Sequence, residues 1–584
     1  MNQITFPTPR PNILIAGAGP VGLLLAIQLQ RFGIPYRLIE KNAGPSTYTK
    51  AMAIHSRTLE IFDEIGVAQD MINAGHRLNR FRIQSYGDTI LTYQFSLLDA
   101  KYPFLLCLAQ STTESILLDK LRSLGGDVEW ETELTSVKQI GDEIHTTIHH
   151  QDKESVFKST WLAACDGARS TIRRQLDLSF DGGMYHSHFM LADVDIEWDG
   201  GTDEGVFFLG DQAGYVAVAP LNDQKRYRLF VEMPFDLPPE DKRLPLTLET
   251  FQKLCDGRGQ AMKLSNISSE TTASFQQRKI QQQQVGHIFF LGDSGHIGSP
   301  IGGQYMNMGI AESHNLAWKL NLVAKGLAHP YLLNSYDAER RPVALEVEKT
   351  ARGLTKILTV KQPQVVNLRD RVFTKLSQLA IIKNKLPWMI SGHRYNYRTS
   401  PNVLDRRAKV AKKIQFRNGK FNFTGLNLPK AGDLAADIEL WTARDQHVSR
   451  LYDFAKEKYS LFIFTGADQF NSDLVDLTQQ ANEIKQQYNL INNYFVVDAL
   501  EQFKFNKHPD AKLILDPDWR LHHRYGFGLN RKGYVLVRPD GYIGFLGNDF
   551  ADLKDYFENY SMLVPNVQVG ATVFKDHVLS ESGN

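Results

Sequence analysis

Three glycines near the N-terminus have the spacing of a phosphate-binding turn. They lie in Gly17-Ala18-Gly19-Pro20-Val21-Gly22, directly after the apolar run Ile13–Ala16. In such a turn Gly17 permits a sharp bend, Gly19 lets a pyrophosphate approach the backbone, and Gly22 lets a helix pack on the strand. The N–H groups at the start of that helix favour an anion. The motif predicts a dinucleotide site, although glycine-rich turns also occur for purely structural reasons.

An acid follows the turn at the sequence distance expected of a ribose-binding carboxylate. Glu40 ends a second predicted strand, Tyr36–Glu40, eighteen residues after Gly22, where a carboxylate can reach a ribose hydroxyl. Lys41 and Lys50 follow and could neutralise phosphate, but each is equally well explained as a solvated surface lysine. These residues do not distinguish FAD from NAD.

Two further polar residues lie at predicted strand-to-helix corners. Gln110 occupies the corner within Cys107–Lys120, where its amide could reach a ligand. Asp166-Gly167 follows a short apolar strand, so that Asp166 could accept hydrogen bonds from ribose or ribityl hydroxyls. A type I turn with a helix cap would explain Asp166-Gly167 equally well.

A second strand–loop–helix pattern lies near the middle of the chain. The apolar strand Ile288–Leu291 leads into Gly292-Asp293, then into a loop that contains Pro300, Gly302 and Gly303, and then into a helix that runs to about Ala324. The pattern predicts that a carboxylate and a helix N-terminus point at one place. A helix N-terminus near a flavin would favour the anionic reduced ring.

Composition excludes several classes of function. The chain has 584 residues, 42% apolar and 22% charged, with a net charge of +1, so we expect two or three globular domains and neither nucleic acid nor an anionic membrane surface as a partner. Apolar runs are too short for a membrane span, and no basic stretch precedes one at the N-terminus, so we expect a cytoplasmic protein. Cys107, Cys165 and Cys255 form no CxxC pair, and no cluster with metal-ligand spacing is present. We therefore expect no disulfide frame, thiol redox centre or metal.

The order of predicted elements indicates an α/β protein. Residues 1–179 and 285–397 form the nucleotide-binding domain, the latter with a helical buttress, and residues 180–284 form an inserted, mostly antiparallel sheet. Residues 398–425 are predicted to be a linker, and residues 426–584 a separate α/β domain. Because no cysteine follows Cys255, that last domain cannot exchange thiols and disulfides even if its fold is thioredoxin-like.

The three separated motifs, GAGPVG with Glu40, CDGARS and GDSGHIGSPIGGQYMN, together resemble those of the class A flavoprotein aromatic hydroxylases, the para-hydroxybenzoate hydroxylase superfamily. The last domain, with KAGDLAAD and LVRPDGY, resembles that of the phenol hydroxylase and polyketide hydroxylase branch. The resemblance covers essentially the whole chain. It implies a Rossmann-like FAD-binding domain with an inserted substrate-binding sheet and a C-terminal thioredoxin-like domain.

The resemblance also implies roles for individual residues. FAD would be held by Gly17, Gly19, Gly22 and Glu40, with Lys41 and Gln110 near the pyrophosphate and ribityl chain. Asp293 would bind the ribityl and pyrophosphate region, Asp166 would serve both FAD and NAD(P)H, and the loop from Pro300 to Asn307, including Met306, would touch the isoalloxazine.

Three positions depart from the family pattern. Lys50 replaces the usual Arg, so a single ammonium group, rather than a guanidinium that can make two parallel hydrogen bonds, would contact phosphate. Tyr305 replaces the last glycine of the usual GGQG. Met52 occupies the position where simple phenol hydroxylases have an acid that deprotonates the substrate, so a small phenol is a doubtful substrate.

By resemblance, NADPH or NADH reduces FAD, O2 adds to give a C4a-hydroperoxide, and one oxygen passes to an aromatic small molecule. Arg57, His188 and Tyr215 are candidates for assisting substrate deprotonation, and each is more readily explained as structural. A Baeyer–Villiger oxygenase, a flavin oxidase or an FAD-holding interaction protein are alternatives. The C-terminal domain is expected to be structural and to allow a homodimer.

Overall fold

The computed structural model describes most of the chain in two compact units. The described residues are 13–46, 52–198, 200–201, 203–209, 214–221, 225–233, 245–256, 262–299, 302–358, 360, 362–407, 413–417, 420–424, 428–442, 448–455, 457–466, 471–497, 512–516, 519–527 and 532–566. The first unit comprises Pro11–Ala317 and Tyr336–Asn396, and the second comprises Trp318–Ser335 and Tyr397–Asn584. Lys50 and Pro300 lie outside the described residues.

A five-stranded sheet forms the base of the first unit. Four strands are parallel and buried, and the short edge strand is antiparallel; the spatial order is Gln284–Val285, Ile288–Phe290, Trp161–Ala164, Ile13–Ala16 and Tyr36–Ile39. Because parallel strands end at the same edge, Gly17, Asp166 and Gly292 follow three neighbouring strands at one edge. The predicted strands of both glycine motifs are confirmed.

Helices and small sheets surround this base. The helix after the glycine turn begins at Pro20, because proline suits a first helical position. The helices are Pro20–Phe32, Ser56–Glu64, Ala68–Ala74, Gln110–Ser123, Thr171–Gln175 and Gln304–Ala324, with the short 3-10 turns Phe95–Leu97 and Gly292–Ser294. Two three-stranded sheets consist of Thr132–Ile140, Glu143–His150 and Lys153–Ser159, and of Ala53–Ile54, Leu105–Cys107 and His76–Leu78.

An eight-stranded sheet forms the other layer of the first unit. Its spatial order is His296–Ile297, Lys263–Lys279, Asp181–Glu197, Arg226–Met233, Tyr215–Pro220, Glu204–Leu209, Arg80–Ser85 and Asp88–Gln94. Neighbours are antiparallel except Glu204–Leu209 and Arg80–Ser85, which are parallel. The sheet is therefore not built from residues 180–284 alone, as its predicted bounds implied. A parallel pair needs a long crossover, which a local alternation of residues does not reveal.

The two faces of this sheet pack differently. On one face Met190, Ala192 and Val194 pack with the helix Leu248–Asp256. The opposite face carries Phe189 and packs with residues of the three helices Ser335–Leu358, Pro363–Ser377 and Ala380–Ile390. Those three helices are the predicted buttress. None of the described helices has the length and apolar character needed to cross a bilayer.

The second unit contains another eight-stranded sheet. Its order is Leu404–Arg406, Ile543–Gly547, Gly533–Val537, Tyr459–Phe464, Ile491–Val497, Lys512–Leu515, Glu439–Thr442 and Val448–Arg450. Its helices are Leu451–Phe454, Asn471–Gln487, Arg520–Tyr525 and Phe550–Asn559, and the unit also holds the 3-10 turn Pro330–Asn334 and the hairpin Lys413–Arg417/Lys420–Thr424. The assignment of a thioredoxin-like fold stays a prediction.

The predicted linker 398–425 differs from the structure. Leu404–Arg406 is a strand that pairs in parallel with Ile543–Gly547, and Lys413–Arg417 pairs with Lys420–Thr424. The first of these strands has three residues, two of them charged, so its sequence has no strand pattern. Long-range pairing with an apolar strand makes it part of the sheet.

A buried ion pair lies in the hairpin of the second unit. Arg538 and Asp540 are each 1% exposed and are joined by hydrogen bonds of 2.5 and 3.1 Å. The guanidinium also lies over the rings of Trp318 and Tyr397, at 5.1 and 5.3 Å. Trp318 and Tyr397 come from separate segments of the chain, so the pair ties both to the hairpin.

Candidate active site

The three glycines of the first turn differ in what surrounds them. Gly17 has φ 109°, and a methyl group there would lie 2.2 Å from the Cys165 carbonyl oxygen. A methyl group on Gly22 would lie 1.9 Å from the Gly17 oxygen. A methyl group on Gly19 would meet no described atom within 4 Å. The packing of the protein itself requires Gly17 and Gly22, whereas the space at Gly19 suits a ligand that approaches the backbone.

The helix that begins at this space is open to an anion. Pro20 is its first residue, Gly19 is its N-cap, and no side chain caps its N-terminus. Uncapped N–H groups and the positive end of the helix dipole form a phosphate site. The geometry therefore fits the pyrophosphate of a dinucleotide.

Glu40 is held beside this turn. Its Oε2 accepts a hydrogen bond from the Ala18 amide at 3.0 Å, and its Oε1 accepts from the Asn42 amide at 3.0 Å and from Asn42 Nδ2 at 2.6 Å. Carboxylate oxygens have further lone pairs, so the fixed carboxylate can also accept from a ribose hydroxyl. Lys41, next in the chain, is exposed.

Asp166 is both a helix cap and a candidate ligand-binding residue. Its Oδ2 accepts from the amides of Thr171 and Ile172 at 2.8 and 3.2 Å, which caps the helix Thr171–Gln175. Its Oδ1 is buried and has no partner among the described residues. Burial raises the pKa of this carboxyl above its ordinary value. A buried acceptor without a partner is costly, and a ligand hydroxyl would satisfy it.

Gln110 is the first residue of its helix, as predicted. Its Nε2 donates to Glu114 Oε1 at 2.8 Å, while Glu114 Oε2 accepts from the Ser46 amide at 3.1 Å. The amide of Gln110 is therefore oriented by a carboxylate that also holds the loop after Glu40.

The two strand–loop–helix motifs meet. A methyl group on Gly309 would lie 2.6 Å from Val21 and 3.1 Å from the Cα of Gly292. Ser313 Oγ donates to the Val21 carbonyl at 2.7 Å. Asp293, in the turn after Gly292, is exposed. The second motif therefore packs directly on the helix of the first.

A buried carboxylate holds the second motif together. Glu312 is fully buried, and it accepts from the Gly292 amide at 2.8 Å, from His296 Nε2 at 2.7 Å and from Gln283 Nε2 at 3.0 Å. Arg340 lies 4.0 Å away and is also buried. Burial alone would raise the pKa of Glu312, but His296, Arg340 and the Gly292 amide hold it below its ordinary value. The turn that carries Asp293 is thus anchored to a charged network.

The loop expected to touch the flavin is fixed by Asn307. Its Oδ1 accepts from the His55 amide at 2.9 Å, and its Nδ2 donates to the carbonyls of Ala53 and Gly303 at 2.8 and 2.6 Å. Its side-chain amide thus binds protein backbone. Gly302 and Gly303 have φ of 82° and 58°, and half-buried Met306 lies in the first helical turn.

His55 links the same loop to the helix Ser56–Glu64. Its ring nitrogen Nε2 lies 2.8 Å from the Gly302 carbonyl oxygen. Burial and, to a smaller extent, the nearby His393 lower the pKa of His55 to about 4, although the bond to Gly302 opposes the shift. The imidazole is therefore neutral at neutral pH.

We expect His55 to make the protein less stable below pH 6.5. The unfolded state binds a proton near pH 6.5 and the folded state only near pH 4, so the free energy of unfolding falls by about 3 kcal/mol between these values. Urea unfolding of the apoprotein across this range measures the slope. His55→Gln should flatten it, and His149→Gln, at an exposed histidine, should not. Equal slopes in all three proteins would contradict the expectation.

The three catalytic candidates have different surroundings. Arg57 is buried and pairs with Glu60 Oε2 at 3.0 Å, and Glu60 Oε1 lies 2.9 Å from His393 Nε2. Tyr215 lies in the large sheet, and its ring centroid is 5.4 Å from that of Phe207 and 5.7 Å from that of Phe189. His188 precedes Phe189, so the alternation of a strand directs it to the opposite face. The buried pair with Glu60 fits a structural role for Arg57, and the catalytic roles of all three residues stay predictions.

An apolar face extends from the flavin loop. Met52 adjoins Ala53, which Asn307 holds, and it packs in a cluster with Leu78, Phe95 and Cys107. Phe81, Phe230 and Ile390 pack against that cluster and also against the cluster of Tyr215 and Phe189. We call this set, from Met52 to Tyr215, the aromatic face.

Sequence reasoning missed Glu312 and His55. Glu312 lies in the helix Gln304–Ala324, and an acid that is buried there requires a partner. His55 precedes a helix and has no local motif. The partners of both lie far away in the chain, so spacing alone could not identify them. Among the described residues, no group of three His, Cys, Asp or Glu side chains could hold a metal ion.

Comparison with known proteins agrees with this geometry. A family model described as "FAD binding domain" matches residues 10–351. The chain is 28% identical to 6-methylpretetramide 4-monooxygenase of Streptomyces rimosus, with 92% of this chain and 91% of that protein covered. It is also 28% identical to pentachlorophenol 4-monooxygenase of Sphingobium chlorophenolicum, with 92% and 95% covered.

A solved structure extends the similarity to the fold. The flavin-dependent monooxygenase PieE, determined with FAD and substrate, has a TM-score of 0.74 at 19% identity, with 95% of this chain and 99% of that chain covered. The family match spans more than half of the chain and includes both glycine motifs. The chain therefore belongs to the FAD-binding-domain family, within the class A flavoprotein hydroxylases, and is an FAD-dependent monooxygenase.

Proposed function

We propose that this enzyme hydroxylates an aromatic, phenol-like or polyketide-like small molecule with NADPH or NADH and O2. The observation that carries the proposal is the aromatic face, which begins at Met52 beside the flavin loop and continues to Tyr215. An aromatic ring packs favourably against other aromatic rings. The names of two relatives, 6-methylpretetramide 4-monooxygenase and pentachlorophenol 4-monooxygenase, support the same class of substrate.

FAD would be held by residues of both motifs. The turn Gly17–Gly22 with the N-terminus of its helix would bind the pyrophosphate, and Glu40 would bind a ribose. Asp166, Gln110 and Asp293 would bind hydroxyl and phosphate groups, and the loop around Gly302 would contact the ring. When bound, FAD accepts a hydride from NAD(P)H and activates O2.

The residues of the chain then have supporting tasks. The aromatic face binds the substrate ring and excludes water from the reacting atoms, which limits wasteful release of peroxide. Asn307 and His55 keep the loop beside that face in one conformation. Met52 cannot accept a proton, so ionisation of the substrate must rely on another group or on the acidity of the substrate itself.

The second unit would be structural under this proposal. It has no cysteine, and its buried Arg538–Asp540 pair serves the packing of its own segments. Its described residues therefore offer no thiol chemistry that the reaction could use.

We expect isotope labelling to identify the reaction. The holoenzyme is supplied with NADPH or NADH, ¹⁸O2 and a panel of phenols and polycyclic phenols, and products are analysed by mass spectrometry. The proposal expects one labelled oxygen on a ring carbon and faster NAD(P)H consumption with substrate. Label inserted into a carbon–carbon bond would instead indicate Baeyer–Villiger chemistry. Peroxide without an oxygenated product from any compound would indicate an oxidase.

A further inference from the structure

Two helices of the first unit present apolar side chains to solvent. Pro363–Ser377, Ala380–Ile390 and the two residues between them carry large apolar side chains that are 40–62% exposed: Val365, Leu368, Val372, Leu376, Leu379 and Trp388. We call this set the apolar stripe. At about 100° per residue, the four members on the first helix fall within an arc of about 80°. The stripe lies beside the buried residues of this helix, Val366 and Arg369, and is not itself covered by described residues to the same extent.

Cations flank the apolar stripe. Arg371, Lys375, Lys383 and Lys385 lie on the same two helices and are exposed. From Pro363 to Ile390 the sequence contains five lysine and arginine residues and one acid, Asp370. The carboxylate of Asp370 already has partners, because it accepts hydrogen bonds from Ser85 Oγ at 2.7 Å and from Arg369 Nε at 2.7 Å. The overall net charge of +1 therefore conceals a strong local excess of positive charge.

We propose that the apolar stripe and its flanking cations bind an anionic lipid surface. A helix that lies in a membrane interface places apolar side chains among the acyl chains and lysine and arginine among the headgroups. This arrangement of side chains satisfies both requirements. The contact is peripheral and involves no membrane span.

Charge decides between a membrane and a second copy of the chain. In a two-fold dimer the same surface meets itself, so this face would bring two sets of cations together, and the one acid of these two helices, Asp370, already pairs with Arg369. An anionic bilayer offers the opposite charge. The same two helices contribute Phe373, Leu386 and Ile390 to the packing of the aromatic face. If the proposed substrate class is correct, an apolar substrate would be taken up close to the membrane.

Vesicle sedimentation of the full-length FAD-loaded protein tests the proposal. Vesicles of phosphatidylcholine are compared with vesicles that also contain phosphatidylglycerol. We expect binding to the second kind only, weakening as salt is raised. Lys375→Gln and Arg371→Gln should each lower the partition coefficient about fivefold. Leu368→Ser should lower it about tenfold or more.

Matched controls lie on another part of the first unit. Val156→Ser and Lys153→Gln remove an exposed valine and an exposed lysine from the strand Lys153–Ser159, and both should bind like the parent. FAD content shows that each variant is folded. Equal binding of the protein to both kinds of vesicle, or no binding to either kind, would overturn the proposal. So would a dimer seen by sedimentation velocity that Leu368→Ser dissociates, because the stripe would then bind a second copy. The readout is independent of the hydroxylation reaction.

Discussion

Gly19→Ala should release FAD without unfolding the protein. The structure has space for the added methyl group, and the backbone there, with φ −70° and ψ −178°, suits alanine. The free energy of unfolding of the apoprotein should stay the same or rise by up to about 1 kcal/mol. The methyl group would, however, occupy the approach of the pyrophosphate. Loss of one hydrogen bond to a charged group weakens FAD binding about ten- to a hundredfold.

Gly22→Ala provides the contrasting control. Its methyl group would lie 1.9 Å from the Gly17 carbonyl oxygen, so we expect the apoprotein itself to lose about 1–3 kcal/mol or more. Urea unfolding of the apoproteins and fluorescence titration with FAD separate the two effects. If Gly19→Ala bound FAD with unchanged affinity, the pyrophosphate would not lie at this turn. If it unfolded, the space at Gly19 would be needed by the protein rather than by the ligand.

Glu312→Ala should cost about 3–5 kcal/mol of folding free energy. The change leaves Arg340 and His296 buried without their carboxylate, and it removes the acceptor of the Gly292 amide. Denaturant unfolding of the apoprotein measures the loss. FAD retention should fall as well, because the turn with Asp293 loses its anchor.

Two comparisons show whether charge is responsible. Glu312→Gln keeps the shape and one acceptor, so a loss as large as that of Glu312→Ala would assign the effect to the charge. The folded-state pKa of Glu312 is depressed, so its contribution is present above about pH 4.5 and is lost as pH falls through the folded value. A fully folded Glu312→Ala protein with unchanged stability would show that the network does not anchor the turn.

The sequence predicts those parts of the site whose signals are local. The turn Gly17–Gly22, the strand before it and Glu40 lie within one short stretch, and their strand–turn–helix geometry is as expected. The positions of Gln110 at the start of a helix and of Asp293 in a turn after a strand are also predicted from local signals. In each case a glycine, a proline or the end of an apolar run marks the place.

Features that depend on distant partners could not be predicted. The parallel pairing of Glu204–Leu209 with Arg80–Ser85 joins segments more than a hundred residues apart, so the sequence of one strand does not predict the other as its partner. The contacts of Glu312 with His296 and Arg340, and of Asn307 with His55, likewise exist only after folding. The sequence also could not predict that Leu368 is exposed. Leu368 and its apolar neighbours in the helix have the same spacing as the residues of a buried helical face.

The discontinuity of the second unit has a consequence for synthesis on the ribosome. Trp318–Ser335 belongs to that unit, and Ala328 pairs with Leu563. Between these two parts of the unit the chain contains Tyr336–Asn396, which belongs to the first unit. At about 5–20 residues per second, the roughly 200 residues that separate Trp318 from its hairpin take about 10–40 s to emerge. During this interval Trp318, Leu332 and Leu333, which are buried in the finished protein, have no partners from the later part of the unit. A nascent chain of this length is therefore a natural client for a chaperone that binds exposed apolar segments.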